Sequence, residues 1–284
     1  MKALLVIGAA VLLAPSAFAQ HVRTLESGRL LRDSTPVSVR LALGTGTLNI
    51  GASDPPYLYR SITRFGDSYT SPTSTWNADQ HTLTLVAGQK RDGGSSATSD
   101  DRPDDESVQD WRVQLTRRAP LELTIDATAA DATLDLTGLP LRRFSLNTGA
   151  AAATVRFDAP NPESMSVFEA NIGAGGLKLI GLGNAGASEV RVAGDIGDLS
   201  LDLGGRWQRD MLLVVSSSIG GVRITAPPAI GIELQSTGLL ARESFDGAFT
   251  KSRGAWRSAN FAAAPVKVRI VVKSMLGKIE LVQR

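Results

Sequence analysis

A short phrase, in which a small or glycine-rich turn leads into an alternating apolar pair, recurs along this chain and restricts its fold more than any other feature. Copies stand at Gly44-Thr-Gly-Thr-Leu48-Asn-Ile50, Ala130-Asp-Ala-Thr-Leu134-Asp-Leu136, Gly149 through Val155-Arg-Phe157, Gly173-Ala-Gly-Gly-Leu177-Lys-Leu179, Gly194-Asp-Ile-Gly-Asp-Leu199-Ser-Leu201, Ser218-Ile-Gly-Gly-Val222-Arg-Ile224 and Met275-Leu-Gly-Lys-Ile279-Glu-Leu281. The first apolar residues of the central copies, Leu134, Val155, Leu177, Leu199 and Val222, follow one another at 21, 22, 22 and 23 residues. One copy alone buries too little surface to hold itself. Copies stacked at a constant period bury their apolar faces on one another, so the period predicts a solenoid-like stack of short β rungs.

Outside the phrases the same period of two persists, as in Val37, Val39, Leu41, Leu43 and in Val266, Val268, Ile270, Val272. Alternation of this kind is the signature of strands with one buried face. Helical spacing is absent except near 25–32, where a turn of helix or a flexible segment is expected. Glycine is 28 of 284 residues and aromatics are 5%, which suits tight turns and thin rungs. The fold class is therefore all-β, a stack of repeated rungs with an N-terminal β cap.

The chain divides accordingly. Residues 1–19 carry a basic start at Lys2, an apolar run of about a dozen residues and an Ala17-Phe18-Ala19 cleavage pattern, the marks of a removable export signal. Residues 20–36 are expected to be flexible, and 37–284 to form one domain. Within it, 37–118 make cap strands around a polar, disordered loop at 89–107, 119–238 the regular rungs, 239–265 an insertion packed over the stack, and 266–284 the final strands. No later segment is long and apolar enough to span a bilayer as a helix, so the expected location is periplasmic or secreted.

Composition removes much chemistry at once. With no cysteine and two histidines there is no thiolate metal site, disulfide or thiol nucleophile, and neither His21 nor His81 has a companion in sequence. The net charge of +2 gives no reason to expect nucleic acid. Charge is uneven, however. Between Asp92 and Asp135 eleven acids face four arginines, and between Arg242 and Arg284 nine bases face three acids; pairing between the two stretches is the expectation.

Gly181-Leu-Gly183-Asn-Ala-Gly186 fits a dinucleotide fingerprint. An alternating strand at Ser188-Glu-Val-Arg-Val-Ala follows where a phosphate-binding helix would be needed, so the match is rejected. The row between the paired apolars reads Asn49, Asp135, Arg156, Lys178, Ser200, Arg223, Glu280, a mixed solvated face rather than the aligned acids of a glycan-cleaving β-stack. Asp195, Asp198 and Asp202 read as turn acids, with weak Ca²⁺ binding as the alternative. The same choice applies to the acidic segment from Asp100 to Asp110. Ser216-Ser217-Ser218 lies in a turn without a nucleophile elbow. Lys251, Arg253, Arg257, Lys267, Arg269 and Lys273, interleaved with Phe249, Trp256 and Phe261, read as a charged strand face, an anion-binding surface being the alternative. No catalytic, cofactor-binding or metal-binding residue is assigned, and no cofactor is expected.

Three stretches carry a family resemblance: Leu43-Gly-Thr-Gly-Thr-Leu-Asn-Ile-Gly51, Leu134-Asp-Leu-Thr-Gly-Leu-Pro-Leu141 leading to Leu146-Asn-Thr-Gly149, and Ala170-Asn-Ile-Gly-Ala-Gly-Gly-Leu-Lys-Leu-Ile-Gly-Leu-Gly-Asn-Ala185. Across 37–283 the chain resembles the bacterial toast-rack domain of cell-wall-antibiotic-response and envelope-stress proteins and their adhesin-like relatives. The resemblance implies a β-rung stack without established catalytic residues. The chain departs from the membrane-anchored members in its cleavable signal and lack of membrane helices. The expected function is a non-enzymatic, exported envelope interaction module, with a place in envelope stress response, whose partner is another envelope protein or cell-wall component. A carbohydrate-binding or carbohydrate-active protein and a self-associating adhesive protein are the alternatives.

Overall fold

The computed structural model describes residues 22–91, 109–252 and 254–284. The proposed signal, His21 and most of the polar loop, including Asp100, Asp101, Asp104, Asp105 and Glu106, lie outside the described residues, as does Arg253.

The chain opens with β1 (Arg23–Leu30), β2 (Val37–Ala52), β3 (Tyr57–Phe65), β4 (Thr73–Asn77), β5 (Thr82–Ala87) and β6 (Gln109–Leu115). Rungs follow as β7 (Leu121–Asp135), β8 (Leu141–Ala150) with β9 (Ala153–Arg156), and β10 (Met165–Ala174) with β11 (Leu177–Ile180). A single helical turn, α1 (Leu182–Ala185), leads to β12 (Ala187–Ile196) with β13 (Leu199–Asp202), then β14 (Met211–Ile219) with β15 (Val222–Ala226). The chain ends with β16 (Gly231–Asp246), a hairpin of β17 (Phe249–Ser252) and β18 (Ala255–Ser258), and β19 (Lys267–Gln283). All these strands join one 19-stranded sheet.

Each rung has two arms that meet at a corner. The first arms pair in parallel through β2, β7, β8, β10, β12, β14, β19 and β16, and the second arms through the matching halves of the same rungs. Buried positions change parity at every corner: Leu121, Leu123, Ile125, Ala127 give way to Ala130, Ala132, Leu134, and Leu213, Val215, Ser217 to Val222, Ile224, Ala226. The corner thus resets the alternation, and both arms bury their apolar side in one core running the length of the stack. Phe144, Phe157 and Phe168 anchor that core, Phe144 and Phe168 with ring centroids 4.8 Å apart. Each such ring stabilises the fold by about 1.5–3 kcal/mol through burial.

A column of backbone closes the corners. Gly175, Gly197, Gly220 and Gly277 stand above one another with φ of 144°, 137°, 142° and 153°. Their amides donate along the stack, Gly175 to Ile196 O (2.8 Å), Gly197 to Ile219 O (2.9 Å) and Gly220 to Leu276 O (3.0 Å). A Cβ at Gly197 or Gly220 would overlap the carbonyl of the glycine beneath it. The turn glycines of the repeat are therefore required by contact between rungs as well as by backbone angle.

Several expectations need correction. Residues 23–30, expected to be flexible or one turn of helix, form β1, paired antiparallel with β3 from Arg23 opposite Phe65 to Leu30 opposite Tyr57. An outermost strand with one partner carries few large apolar residues, so its alternation is weak. Within the cap, β5 and β6 pair in parallel with the two arms of β2, and β3 and β4 pair antiparallel with β6 and β5.

The repeat register slips by two between the second and third central copies. Val155 lies opposite Leu179, and the aligned column is Ala132, Ala153, Leu177, Leu199, Val222, Ile279. A slip of two leaves the buried face unchanged, so alternation alone does not detect it. The outward row becomes Asn49, Thr133, Thr154, Lys178, Ser200, Arg223, Glu280, with Asp135 and Arg156 one outward step further along.

The segment 239–265 is not one insertion. Its first part continues β16 in register with β19, from Leu240 opposite Leu276 to Asp246 opposite Val282, and its second is the β17–β18 hairpin. Phe245, Phe249 and Trp256 cluster there, with centroids 5.6 and 4.5 Å from Phe245, and close the last rung. Although last in sequence, β19 lies between β14/β15 and β16.

The acidic and basic stretches do not pair with each other among the described residues. Asp110 accepts from Thr47 and Asn49, Asp126 from Arg40 and Asn147, and Asp135 from Arg156. At the other end Arg257 and Arg269 meet Glu233, and Arg223 and Lys278 meet Glu280. Charges on a stack pair with the adjacent rungs, and these two sets stand many rungs apart. The exposed pairs among them, such as Arg40 with Asp126 and Arg156 with Asp135, contribute about 0.2–1 kcal/mol each.

Candidate interaction surface

Just before each corner one outward position stacks along the whole sheet. In the early rungs it holds Ala150 and Ala174; in the later ones it holds Ile196, Ile219, Leu276 and Leu240, each opposite the next. These four are 57%, 50%, 47% and 66% exposed, and the adjoining Met275 and Leu239 are 64% and 83% exposed. Ile196, Ile219 and Leu276 continue the parity of the buried positions of their own arms, but the chain bends at the corner and leaves them in solvent. The result is a contiguous aliphatic ridge on the last four rungs, a kind of patch that isolated soluble chains rarely carry without a partner.

Beside the ridge runs a shallow groove of 360 Å³. Ser216, Ser218 and Thr237 form its polar wall, Asp195 and Lys273 supply charge, and Met275 and Leu239 form its lip. Ser216-Ser217-Ser218, expected in a turn, lies at the end of strand β14, with Ser217 buried on the core side. His81 belongs to the opposite end of the stack, beside β5, so among the described residues the serines have no imidazole near them.

Asp195, Asp198 and Asp202 do not converge. Asp198 accepts from the Gly221 amide (2.7 Å), and Asp202 accepts from the amides of Gly204 (2.9 Å) and Gly181 (3.3 Å). Both act as backbone caps, while Asp195 faces the groove. Among the described residues no three His, Cys, Asp or Glu side chains gather closely enough to hold a metal ion.

The glycines of the fingerprint have structural tasks. Gly181 and Gly186 hold left-handed conformations at the two ends of α1 (φ 73° and 65°). A Cβ on Gly183 would come 2.6 Å from the Trp207 indole nitrogen. Asn184 is buried, donates to Phe157 O (2.9 Å) and accepts from the Arg206 amide (2.8 Å). The alternation gives no sign of this one helical turn, and the strand β12 begins directly after it.

Two of the basic C-terminal residues pack on the aromatics of the last rung. Lys251 lies 5.2 Å from the centroid of Trp256, and Arg257 5.2 Å from that of Phe261. Alternation on β19 sends Arg269 and Lys273 to solvent. A second concave feature, at the first rung, was missed from sequence. Arg29, Arg32, Trp76 and His81 converge there from β1, β4 and the turns that follow them.

The model for the family described as "N-terminal domain of toast_rack, DUF2154" matches residues 20–180, more than half of the chain and β1 included. Among solved structures, a candidate cell adhesion protein from Clostridium sporogenes is 13% identical, covering 92% of this chain and 100% of its own, with a TM-score of 0.44. A candidate adhesin from Bacteroides fragilis is 8% identical over 92% and 96%, with a TM-score of 0.38. A candidate lipid-binding protein from Parabacteroides distasonis is 10% identical over 93% and 96%, with a TM-score of 0.35. Among curated proteins no match is found.

Proposed function

The chain belongs to the toast-rack family through its N-terminal domain, and from that premise we propose that it is an exported, non-enzymatic envelope module that binds another envelope protein through the aliphatic ridge. One observation carries this reading: Ile196, Ile219, Leu276 and Leu240 stand in line across four rungs, with Met275 and Leu239 beside them, all largely exposed. Export rests on the N-terminal signal pattern, and among the described residues no helix is long and apolar enough to cross a membrane. The mechanism is complementarity of shape and apolar surface. Covering one such side chain contributes on the order of 1 kcal/mol, so the ridge can supply most of a moderate affinity.

The test is photo-crosslinking of the tagged full chain in the envelope of the cells that make it, followed by mass spectrometry. With Leu239→Asp and Met275→Asp combined, capture of the main partner should fall about tenfold or more while Tm moves by only about 2 °C, because both side chains already face water. Thr75→Asp, on the exposed β4, should leave capture unchanged. Equal capture by the ridge variant would remove the ridge from the function. Recovery of nothing but the chain itself would favour self-association instead.

A further inference from the structure

We propose that the cleft at the first rung is a binding site for a small amphiphilic anion, a carboxylate or phosphate carried on a compact apolar body. The site is separate from the ridge, at the opposite end of the rung order, and does not depend on the function assigned to it. The cavity measures 180 Å³, which limits the ligand to a molecule of about a dozen heavy atoms or fewer. Its floor is apolar, formed by the buried Val37 and Leu58 with Leu31 beside them.

The rim supplies the charge. The Arg29 guanidinium lies 4.7 Å from the Trp76 ring centroid, and stacking on an indole holds the planar fork while leaving its edge to donate. Arg32 stands three residues on, and neither arginine has an ion pair among the described residues. The only carboxylate among the described residues lining the cleft, Asp33, spends an oxygen on the Thr35 amide at 2.9 Å. One guanidinium held on the Trp76 ring and a second, exposed one at Arg32, beside a carboxylate already committed to Thr35, favour an oxyanion.

His81 completes the rim, its ring edge-on to Trp76 with centroids 6.1 Å apart. Among the described residues it is the only non-glycine with positive φ, 48°. A side chain held in a left-handed conformation costs stability and persists where the surrounding structure fixes it, and such residues concentrate at ligand sites. Glycine would serve the turn better; the imidazole is what glycine would lose.

The site can be tested by isothermal titration of the full chain with hexanoate and hexyl phosphate, using hexanol and acetate as controls. Saturable binding of at least one anion is expected below about 10 mM, with hexanol and acetate binding more weakly by about tenfold or more. Preference for hexanoate or for hexyl phosphate identifies the oxyanion. Arg32→Gln, at an exposed position, should weaken binding about tenfold without changing Tm, and Arg29→Lys should weaken it by keeping the charge but losing the fork. His81→Gly should weaken binding while leaving Tm unchanged or higher, which a merely structural histidine would not do. Hexanol binding as tightly as the anions, acetate binding as tightly as hexanoate, indifference to Arg32→Gln, or no anion binding in this range would overturn the proposal.

Discussion

Substituting alanine for Gly220 is expected to cost about 3 kcal/mol or more of folding free energy and to lower Tm by roughly 10 °C. Two independent penalties meet at this residue. Its φ of 142° belongs to a region that side chains rarely enter, which alone costs about 1–3 kcal/mol. The new Cβ would also overlap the Gly197 carbonyl and lie 2.6 Å from its carbon, both backbone atoms held by their own rungs. Relief requires these two rungs to separate, which stretches the 2.9 Å bond from Gly197 N to Ile219 O. A graded series isolates the terms. Gly51 has open space where a Cβ would stand and no left-handed backbone, so Gly51→Ala should be neutral or slightly stabilising. Gly254 has open space but a φ of 81°, so alanine there should cost about 1 kcal/mol. Thermal unfolding by circular dichroism ranks the three; equal Tm values for Gly220→Ala and Gly254→Ala would show that contact between rungs contributes nothing.

The glycine column also indicates how far the chain could be read without coordinates. Alternation identified the strands it was read from, such as those starting at Val37 and Val266, with their inward residues, and the repeat gave the stack, because both depend on local backbone geometry; the polar β1 lay outside its reach. Three features depend on something else. The two-residue slip at Val155 preserves the inward face, and the true partners Ala132 and Ala153 are too small to look like core. The position of β19 inside the sheet is a matter of which rung meets which, and every rung has the same alternation. The first part of 239–265 looked like an insertion because Ala241 stands opposite Gly277, where the column would otherwise hold glycine, and because Leu239 and Leu240 interrupt the alternation.

The ridge was present in the repeat phrases themselves. Ile196-Gly197, Ile219-Gly220 and Leu276-Gly277 each place a large aliphatic immediately before a corner glycine. Alternation alone assigns such a residue to the buried side, because it continues the parity of its own arm up to the corner. The recurrence of the pair was the one signal that could have found it. The cleft had no such signal, since Arg29, Trp76 and His81 meet only through the antiparallel pairing of β1 with β3 and β4 with β5.

The second large effect is expected at Asn161, where Asn161→Leu should destabilise the fold by about 3 kcal/mol and lower Tm by roughly 10 °C. This side chain fastens the loop side of three successive rungs. Its carbonyl oxygen accepts from the Leu141 amide (3.0 Å) and the Glu163 amide (3.2 Å), and its amide nitrogen donates to Leu141 O (2.8 Å) and Ala185 O (3.1 Å). The residue is buried, so leucine would fill the space yet strand two carbonyls and weaken two amides away from water. Aspartate would match the shape and still fail, because a carboxylate would present an acceptor to the carbonyls of Leu141 and Ala185. Asn184, in the next rung, accepts and donates in the same manner, and Asn184→Leu should cost a similar amount. The half-buried ladder of Asn171 to Asn147 (2.9 Å) and Asn147 to Asp126 (2.9 Å), on the outward side of the sheet, provides the contrast, since water can reach what Asn147→Ala leaves unpaired and the loss should stay within about 1 kcal/mol. Urea unfolding of these variants distinguishes the cases. Asn161→Leu as stable as Asn147→Ala would mean that the loop side of the stack does not depend on its buried amides, and that the strand ladders and the apolar core alone hold the rungs together.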